Sequence, residues 1–292
     1  MKVVSVINYK GGVGKTTISC NLAAGISRSR RVLAIDLDPQ ANLTFSLISV
    51  PIWRQYYEDK RTIKNWFDAI VENRFPLPSL KDLVIPANKG VDIISSHLGL
   101  IDIDMELATL LSGGTPNQYK KNYIRTYSYL RNELKTLEDS YDLIIIDCPP
   151  NFSMVTKNAL IASDFYAVPA KMDYLSTLGI NQLRNHIQSL VKEYNSYCDE
   201  TQKADPKLAG VVATMIAIRD GKPISAQQEY ITQLKKSGIP LFSSMVRENK
   251  TLFSGGADSD PVILQYYPSG TYSIVVHELE KLQIEFMKKV GI

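Results

Sequence analysis

An α/β fold is predicted for this chain, with a parallel twisted sheet of about seven to eight strands between helical layers. The first observation behind this prediction is a set of apolar, β-branched segments without polar alternation, as in strands buried on both faces. These segments are Val3–Asn8, Val32–Leu37, Leu143–Asp147 and Leu208–Met215, with weaker candidates at Val91–Ser95, Phe165–Pro169 and Leu241–Val246.

The second observation is that helical apolar spacing lies between most of these strands. The helical segments are Thr16–Ser29, Tyr119–Leu137, Leu175–Tyr194, Ser225–Lys236 and, at the C-terminal end, Tyr272–Val290. Strands that alternate with helices favour a parallel sheet with right-handed crossovers. We therefore predict a single domain over residues 1–292. A stretch rich in aromatic residues and proline, 50–88, is predicted to be a mostly helical insertion.

Composition excludes several classes of protein. Apolar residues make up 45% of the 292 residues and charged residues 22%, as in an ordinary globular protein. No apolar run is long enough to span a membrane, and the N-terminus does not resemble a signal peptide. Three scattered cysteines favour a reducing, cytoplasmic setting over a disulfide framework or zinc site. The net charge of +3 permits nucleic-acid binding without requiring it.

A glycine-rich segment between the first strand and the first helix has the pattern of a phosphate-binding loop. Its glycines let the backbone approach phosphate oxygens, and its N–H groups and the helix N-terminus then bind the anion. The predicted nucleotide-binding residues are Lys10, Gly11, Gly12, Val13, Gly14, Lys15, Thr16 and Thr17.

Side chains of this loop have separate expected roles. Lys15 is expected to reach the β- and γ-phosphates, Thr16 to ligate Mg²⁺ and Thr17 to bond the α-phosphate. Tyr9 stands where the general pattern has glycine, and Lys10 adds a second cation. Our hypothesis is that Lys10 acts in catalysis across a dimer interface, as an arginine finger does in trans. Unchanged ATP turnover in Lys10→Ala would contradict it.

Three aspartates end apolar strands. Asp36 and Asp38 stand two residues apart at the end of one strand, so both are predicted to point toward the ligand crevice at the carboxyl edge of the sheet. Asp147 ends another strand and has the position of a Walker B aspartate, which holds Mg²⁺. Alone, each could be a turn residue, but together with the phosphate loop they predict a magnesium–ATP site.

These motifs resemble those of the ParA/MinD group of ATPases. The resemblance rests on the deviant Walker A loop Lys10–Thr17, on Asp36-Leu-Asp-Pro-Gln40 and on Asp147-Cys-Pro-Pro150, and it covers about two-thirds of the chain. It implies that Asp38 orients or activates the attacking water and that Asp36 lies in the outer magnesium shell. It also implies that Pro149–Met154 is a switch loop and that ATP drives formation of a homodimer.

Within this group the surface that the dimer binds is either non-specific DNA or a membrane. Basic residues near the carboxyl ends of the last strands are candidate DNA contacts: Arg219, Lys222, Lys235, Lys236 and Lys250. Arg247 is a candidate either for these DNA contacts or for the adenine pocket. The predicted helix Tyr272–Val290 has an ordinary apolar stripe, which favours docking on the sheet over membrane anchoring.

By resemblance we expect an ATPase associated with the nucleoid that positions a plasmid, a chromosome region or a protein body, and whose hydrolysis a ParB-like adaptor stimulates. The phosphate loop starts at residue 10, which leaves no room before it for a helix-turn-helix, so operator-specific binding is not expected. Two alternatives stay open. One is a MinD-like membrane ATPase, and the other is a metabolic ATP-dependent ligase of the same fold.

Overall fold

The computed structural model describes residues 1–74, 76–87, 90–254 and 260–292. The strands are β1 Lys2–Val6, β2 Val32–Asp36, β3 Ile85–Pro86, β4 Asp92–Ile94, β5 Leu143–Asp147, β6 Phe165–Lys171, β7 Lys207–Thr214, β8 Ile218–Arg219 and β9 Lys222–Pro223. The helices are α1 Lys15–Ile26, α2 Asn42–Leu47, α3 Val50–Tyr56, α4 Ile63–Val71, α5 Leu80–Leu83, α6 Leu100–Thr109, α7 Pro116–Leu134, α8 Met154–Ala162, α9 Tyr174–Tyr197, α10 Ser225–Lys236 and α11 Gly270–Val290.

The main sheet has the strand order β3-β4-β2-β5-β1-β6-β7, and only the short edge strand β3 runs antiparallel to its neighbour. Strand β5 lies at the centre and is buried along its whole length. Its last residue, Asp147, is in register with Val6 of β1 and with Asp36 of β2. The segments that follow these three strands therefore meet at one edge of the sheet.

Apolar side chains cover both faces of this sheet. Helices α4 and α6 to α10 contribute to the hydrophobic core on one face, and α1, α2, α3 and α11 contribute to the core on the other. The predicted α/β fold with helices on both faces is confirmed. The prediction of one domain over residues 1–292 stays a prediction.

The 50–88 insertion contains three helices, α3, α4 and α5, as predicted. It also contains β3, a strand that the sequence did not reveal because its two residues, Ile85 and Pro86, are too few to form a pattern. Trp66 and Phe67 of α4 are almost fully buried, so the insertion is part of the core. Phe75 and Asn88 lie outside the described residues.

The predicted strand Leu241–Val246 is wrong as a regular strand. The segment runs beside β7 and makes two isolated bridges, from Leu241 to Val211 and from Arg247 to Ile216. Phe242 packs over Gly210, whose φ is +152°, and its amide still donates to the Val211 carbonyl at 2.9 Å. An added Cβ on Gly210 would stand 2.9 Å from the Phe242 ring. The pairing is interrupted after Phe242, where the amides of Ser243 and Ser244 donate to Glu285 of α11.

Helix α11 buries one face formed by Val275, Leu279, Leu282, Phe286 and Val290. This face packs against α1 and β7, as predicted for a docked helix. A helix long and apolar enough to cross a membrane is absent from the described parts of the chain.

Candidate nucleotide-binding site

The phosphate loop turns through two glycines with left-handed backbone. The φ angles are +66° at Gly12 and +86° at Gly14, which strain any residue that carries a Cβ. No atom lies within 4 Å of the position of a Cβ on Gly11 or Gly12, so both face open space. Thr214 at the end of β7 donates a hydrogen bond of 2.7 Å to the Val13 carbonyl and fixes the back of the loop. The result is a bare backbone cradle in front of α1.

Lys15 is the first residue of α1, and only 7% of it is exposed. Its ammonium donates to the carbonyl oxygen of Lys10 at 3.3 Å, within the loop itself. Burial lowers the pKa of Lys15, while the carboxylates of Asp147 and Asp38 oppose that change. A desolvated ammonium inside the loop is suited to an anionic ligand, because a phosphate would supply the missing counter-charge.

Lys10 is bound within its own chain. Its ammonium lies 2.8 Å from the Asp173 carboxylate, which also accepts a 2.8 Å hydrogen bond from the Ser176 amide at the start of α9. The side chains of Lys10 and Asp173 are 38% and 41% exposed, and a pair this exposed is worth at most about 1 kcal/mol. Lys10 must leave Asp173 before it can reach across an interface.

Two hydroxyl groups of α1 bind the buried Asp147. Thr16 donates to one carboxylate oxygen at 2.7 Å, and Ser19 donates to the other at 2.8 Å. Burial raises the pKa of Asp147, and these hydrogen bonds together with Lys15 act against the rise. Thr16 and Asp147, both predicted magnesium ligands, are therefore brought together. In the described ranges, no cluster of three or more His, Cys, Asp or Glu that could hold a metal ion is found.

Asp36 and Asp38 have different surroundings although they are two residues apart. Asp36 is fully buried and accepts from the amide and hydroxyl of Thr44, both at 2.8 Å, and from the Asp38 amide at 3.1 Å. Asp38 lies beyond the end of β2, and Ser96 donates to its carbonyl at 2.7 Å. Burial raises the pKa of Asp36, and the nearby Asp147 adds to the rise. Asp36 thus organises the Asp38 turn, and its outer-shell magnesium role stays a prediction.

Two adjoining cavities open at this edge of the sheet. The phosphate cavity, of about 570 Å³, is lined by the loop glycines, by Lys15 and by Asp38. The side cavity, of about 250 Å³, lies between β7 and the 246–253 segment. Both cavities are lined by Gly14, Thr17, Met215 and Phe253. Together they provide a polar part and a mostly apolar part, as expected of a nucleotide pocket.

Arg247 lines the side cavity, which agrees with the adenine-pocket option. Its guanidinium lies 2.7 Å from Glu278 of α11, and its backbone amide donates to the same carboxylate at 3.0 Å. Both side chains are about four-fifths buried, with 20% and 19% exposed. Arg247 is therefore held as a wall of the cavity rather than as a projecting surface cation.

The candidate DNA contacts lie in separate places. Arg219 and Lys222 are exposed on either side of the β8–β9 turn, and Lys250, whose side chain is 88% exposed, borders the side cavity. Lys235 and Lys236 lie at the far end of α10, about 15 Å from its start by helix rise. The predicted extension of the surface to them stays a prediction.

The sequence missed several residues that hold this site together. Ser19, three residues after Thr16, shares its helix face, and Asp173 precedes Ser176 in an N-cap pattern, so both had a local signal. Glu278, the partner of Arg247, has no local signal because the two residues are 31 positions apart. Gln227 is also distant from the groups that it bonds, Met215 and Ala217.

The amino-acid sequence of this chain is similar to those of known proteins. Residues 1–199 match the protein family described as AAA domain. The chain is 28% identical to the sporulation initiation inhibitor protein Soj of Bacillus subtilis, over 96% of this chain and 97% of Soj. It is 29% identical to the chromosome partitioning protein ParA of Myxococcus xanthus, over 90% of this chain and 81% of ParA.

A solved structure has the same fold. An ATP complex of the Cyanothece protein McdA superposes with a TM-score of 0.75 and 21% sequence identity, covering 100% of this chain and 97% of McdA. At this identity the likeness establishes the fold alone.

Proposed function

This chain belongs to the AAA-domain family and, with its relatives, to the ATPases of the ParA and MinD type; from that premise we propose that it is an ATP-dependent partition or positioning ATPase. In this proposal it dimerises on ATP, binds DNA without reading its sequence, and releases the DNA after hydrolysis. The observation that carries the proposal is the loop cradle with Lys15, Thr16 and Asp38 around one cavity, where Thr16 is hydrogen-bonded to the buried Asp147.

ATP and Mg²⁺ are the proposed cofactors. The loop glycines leave open space for phosphate oxygens, and the mostly buried Lys15 lines the same cavity. Thr16 and Asp147 would hold Mg²⁺, which would neutralise charge on the phosphates. Asp38, a carboxylate on the cavity wall, is the proposed residue that orients the attacking water. Met215 and Arg247 border the space proposed for the base.

The dimer is proposed from Lys10. Lys15 would serve the phosphates of its own loop, and Lys10 is paired with Asp173, with both side chains about 40% exposed. Breaking this weak pair would free Lys10 for the nucleotide of a second copy. A shared site of this kind makes dimer formation depend on ATP.

DNA binding is proposed for the β8–β9 hairpin. Asp220 and Gly221 form its turn with φ of +50° and +74°, so the flanking Arg219 and Lys222 are presented on a tight hairpin. Gln227 fastens the base of the hairpin, because its side chain accepts from the Ala217 amide at 2.8 Å and donates to the Met215 carbonyl at 3.1 Å.

Met215 has a left-handed backbone with φ of +53° and lines both nucleotide cavities. One hydrogen-bonded side chain, Gln227, thus connects the proposed nucleotide pocket to the proposed DNA contacts. This connection supports DNA binding that depends on the bound nucleotide.

The cargo is proposed to be a plasmid, a chromosome region or a protein body, by analogy with the chromosome partitioning relative. A ParB-like adaptor would stimulate hydrolysis, and the protein would be associated with the nucleoid in the cytoplasm.

A binding experiment with two surfaces tests the proposal. The protein is mixed with random-sequence DNA or with anionic liposomes, in ATP and in ADP, at several salt concentrations. We expect retention on DNA in ATP only, and a fall in affinity with rising salt. Arg219→Ala should reduce the salt slope by about 1. Lys10→Ala should abolish the ATP dependence. Lys192→Ala, an exposed lysine of α9 outside the candidate set, is the matched control and should behave as the parent.

Other outcomes would contradict the proposal. Retention on liposomes but not on DNA would favour the MinD-like alternative. Retention on neither surface, with intact ATP binding, would favour a metabolic ATP-dependent enzyme. Equal retention in ATP and ADP would remove the nucleotide switch.

A further inference from the structure

A cavity of about 360 Å³ opens at the amino ends of strands β1, β6 and β7, at the opposite edge of the sheet from the phosphate loop. We call it the amino-end pocket. Most of the residues that line it are polar, and its charged side chains are Lys2, Arg131, Asp164, Lys203, Asp205 and Lys207. Neither the proposed nucleotide site nor the proposed DNA contacts use these residues.

One wall of the amino-end pocket, the segment between α9 and β7, is held in place from two sides. Asn195 of α9 donates to the Ala204 carbonyl and accepts from the Ala204 amide, both at 2.8 Å. Arg131 of α7 donates to the carbonyls of Gln202 and Lys203. A wall that is ordered before a ligand arrives lowers the entropic cost of binding.

Two cations of the amino-end pocket lack a carboxylate partner. Within the ranges that the structure describes, no ion pair engages Lys2 or Arg131. The terminal nitrogens of Arg131 donate to neutral carbonyl groups, which hold the guanidinium in position without balancing its charge. These two side chains are therefore available to an anion.

The carboxylates of the amino-end pocket are already engaged. Asp164 accepts from a backbone amide of β1 at 2.9 Å, and Asp205 lies 3.6 Å from the Lys207 ammonium. Lys203 is paired with Glu200, which does not line the pocket. The lining has four cations against two carboxylates, so its charge stays positive even when Glu200 is included. A concave site of one charge sign concentrates ions of the opposite sign.

We propose that the amino-end pocket binds a phosphate dianion, with Lys2 and Arg131 as the groups that recognise its charge. Ammonium and guanidinium groups donate hydrogen bonds and accept none, so they suit a ligand whose oxygens are all acceptors. Charge-assisted hydrogen bonds of this kind are stronger than bonds between neutral groups. Inorganic phosphate and small phosphate monoesters share this chemistry. Binding here does not depend on the proposed ATPase function.

A phosphate titration at constant ionic strength, followed by calorimetry, tests the proposal. The full chain is used in a Lys15→Ala background, which removes the lysine of the phosphate loop and so separates the two sites. We expect this protein to bind inorganic phosphate, and to bind succinate, a planar dicarboxylate, less tightly. Glycerol phosphate is the second probe, and its affinity relative to that of inorganic phosphate decides between a monoester and the free ion.

Adding Lys2→Gln to this background should weaken phosphate binding by roughly threefold to fivefold. Adding Lys2→Arg, which keeps the charge, should preserve binding. Lys281→Gln, which removes an exposed charge on α11, is the matched control and should leave the affinity unchanged. Circular dichroism checks that each variant is folded.

Three results would overturn the amino-end pocket as a phosphate site. They are no phosphate binding in the Lys15→Ala background, unchanged affinity after Lys2→Gln, and an equal loss of affinity after Lys281→Gln, which would show a general effect of net charge. ATP turnover of the parent is measured separately, so none of these results bears on the proposed ATPase function.

Discussion

The phosphate loop and the 241–254 segment both border the nucleotide cavities, but they are held in place by different means. The loop is a direct connection between β1 and α1, and its polar partner Asp147 comes from the adjacent strand β5. The 241–254 segment lacks regular structure over most of its length. It depends on carboxylates of α11: Glu278 binds Arg247, and Glu285 accepts from the amides of Ser243 and Ser244, both at 2.8 Å.

The groups proposed for hydrolysis and those proposed to bind the base are therefore held in place by different contacts. The proposed chemical groups are attached to the central strands, whose register aligns their carboxyl ends without help from distant side chains. The proposed base pocket and the edge beside β7 depend on contacts between segments far apart in sequence. Changes at the centre should therefore affect turnover, and changes at the edge should affect stability or nucleotide affinity.

The largest effect is expected at the central strands. Asp38→Ala should lower ATP turnover by about 10²–10³-fold, because a missing water-orienting carboxylate removes a contribution of that order. Its ATP affinity, measured by equilibrium binding of a fluorescent ATP analogue, should stay within about threefold of the parent. Asn42→Ala, a control in the same cavity, should keep normal turnover. Normal turnover in Asp38→Ala would refute the assigned role.

An intermediate effect is expected at the edge beside β7. Gly210→Ala should lower the free energy of unfolding by about 2–3 kcal/mol, because the added methyl group meets the buried Phe242 ring and the backbone conformation is strained for alanine. The measurement is urea unfolding followed by circular dichroism.

Gly179→Ala is the matched control, since Gly179 lies within α9 and no atom lies within 4 Å of its added Cβ. It should raise the free energy of unfolding by about 0.5–1 kcal/mol through helix propensity. A loss of stability in Gly179→Ala equal to that in Gly210→Ala would contradict the packing argument.

The smallest effect is expected at the link between Arg247 and α11. Glu278→Gln keeps the side-chain shape but removes the charge that holds Arg247, so ATP affinity should fall roughly threefold to tenfold. Turnover at saturating ATP should not change, because no proposed chemical group moves. Glu280→Gln on the same helix, where the pair with His277 is exposed, should have normal affinity. If Glu278→Gln lowered ATP turnover at saturating ATP, the proposed difference between the central strands and the edge beside β7 would be contradicted.

Local patterns predicted the regular part of the fold well. Strand β5 and helix α10 have the bounds that the sequence indicated, because β5 is a continuous apolar run and α10 is long enough to show helical apolar spacing. Two errors occurred at the sheet edges. The two-residue β3 has no detectable period, and Leu241–Val246 has strand-like composition but directs the amides of Ser243 and Ser244 to Glu285 of α11. Edges depend on neighbours that a linear pattern does not contain.

The sequence by itself determined the phosphate loop, the three strand-end aspartates and the α/β class, because each depends on spacing within a few residues. Only the tertiary structure decided which partners these residues have. In the structure, Lys10 forms an ion pair with Asp173, and Arg247 forms one with Glu278. The carboxylate of Asp36 is hydrogen-bonded to Thr44 and does not line the cavity. The physical reason is that hydrogen bonds and ion pairs form between groups that are close in space, and the crossovers of a parallel sheet bring together residues that are distant in sequence.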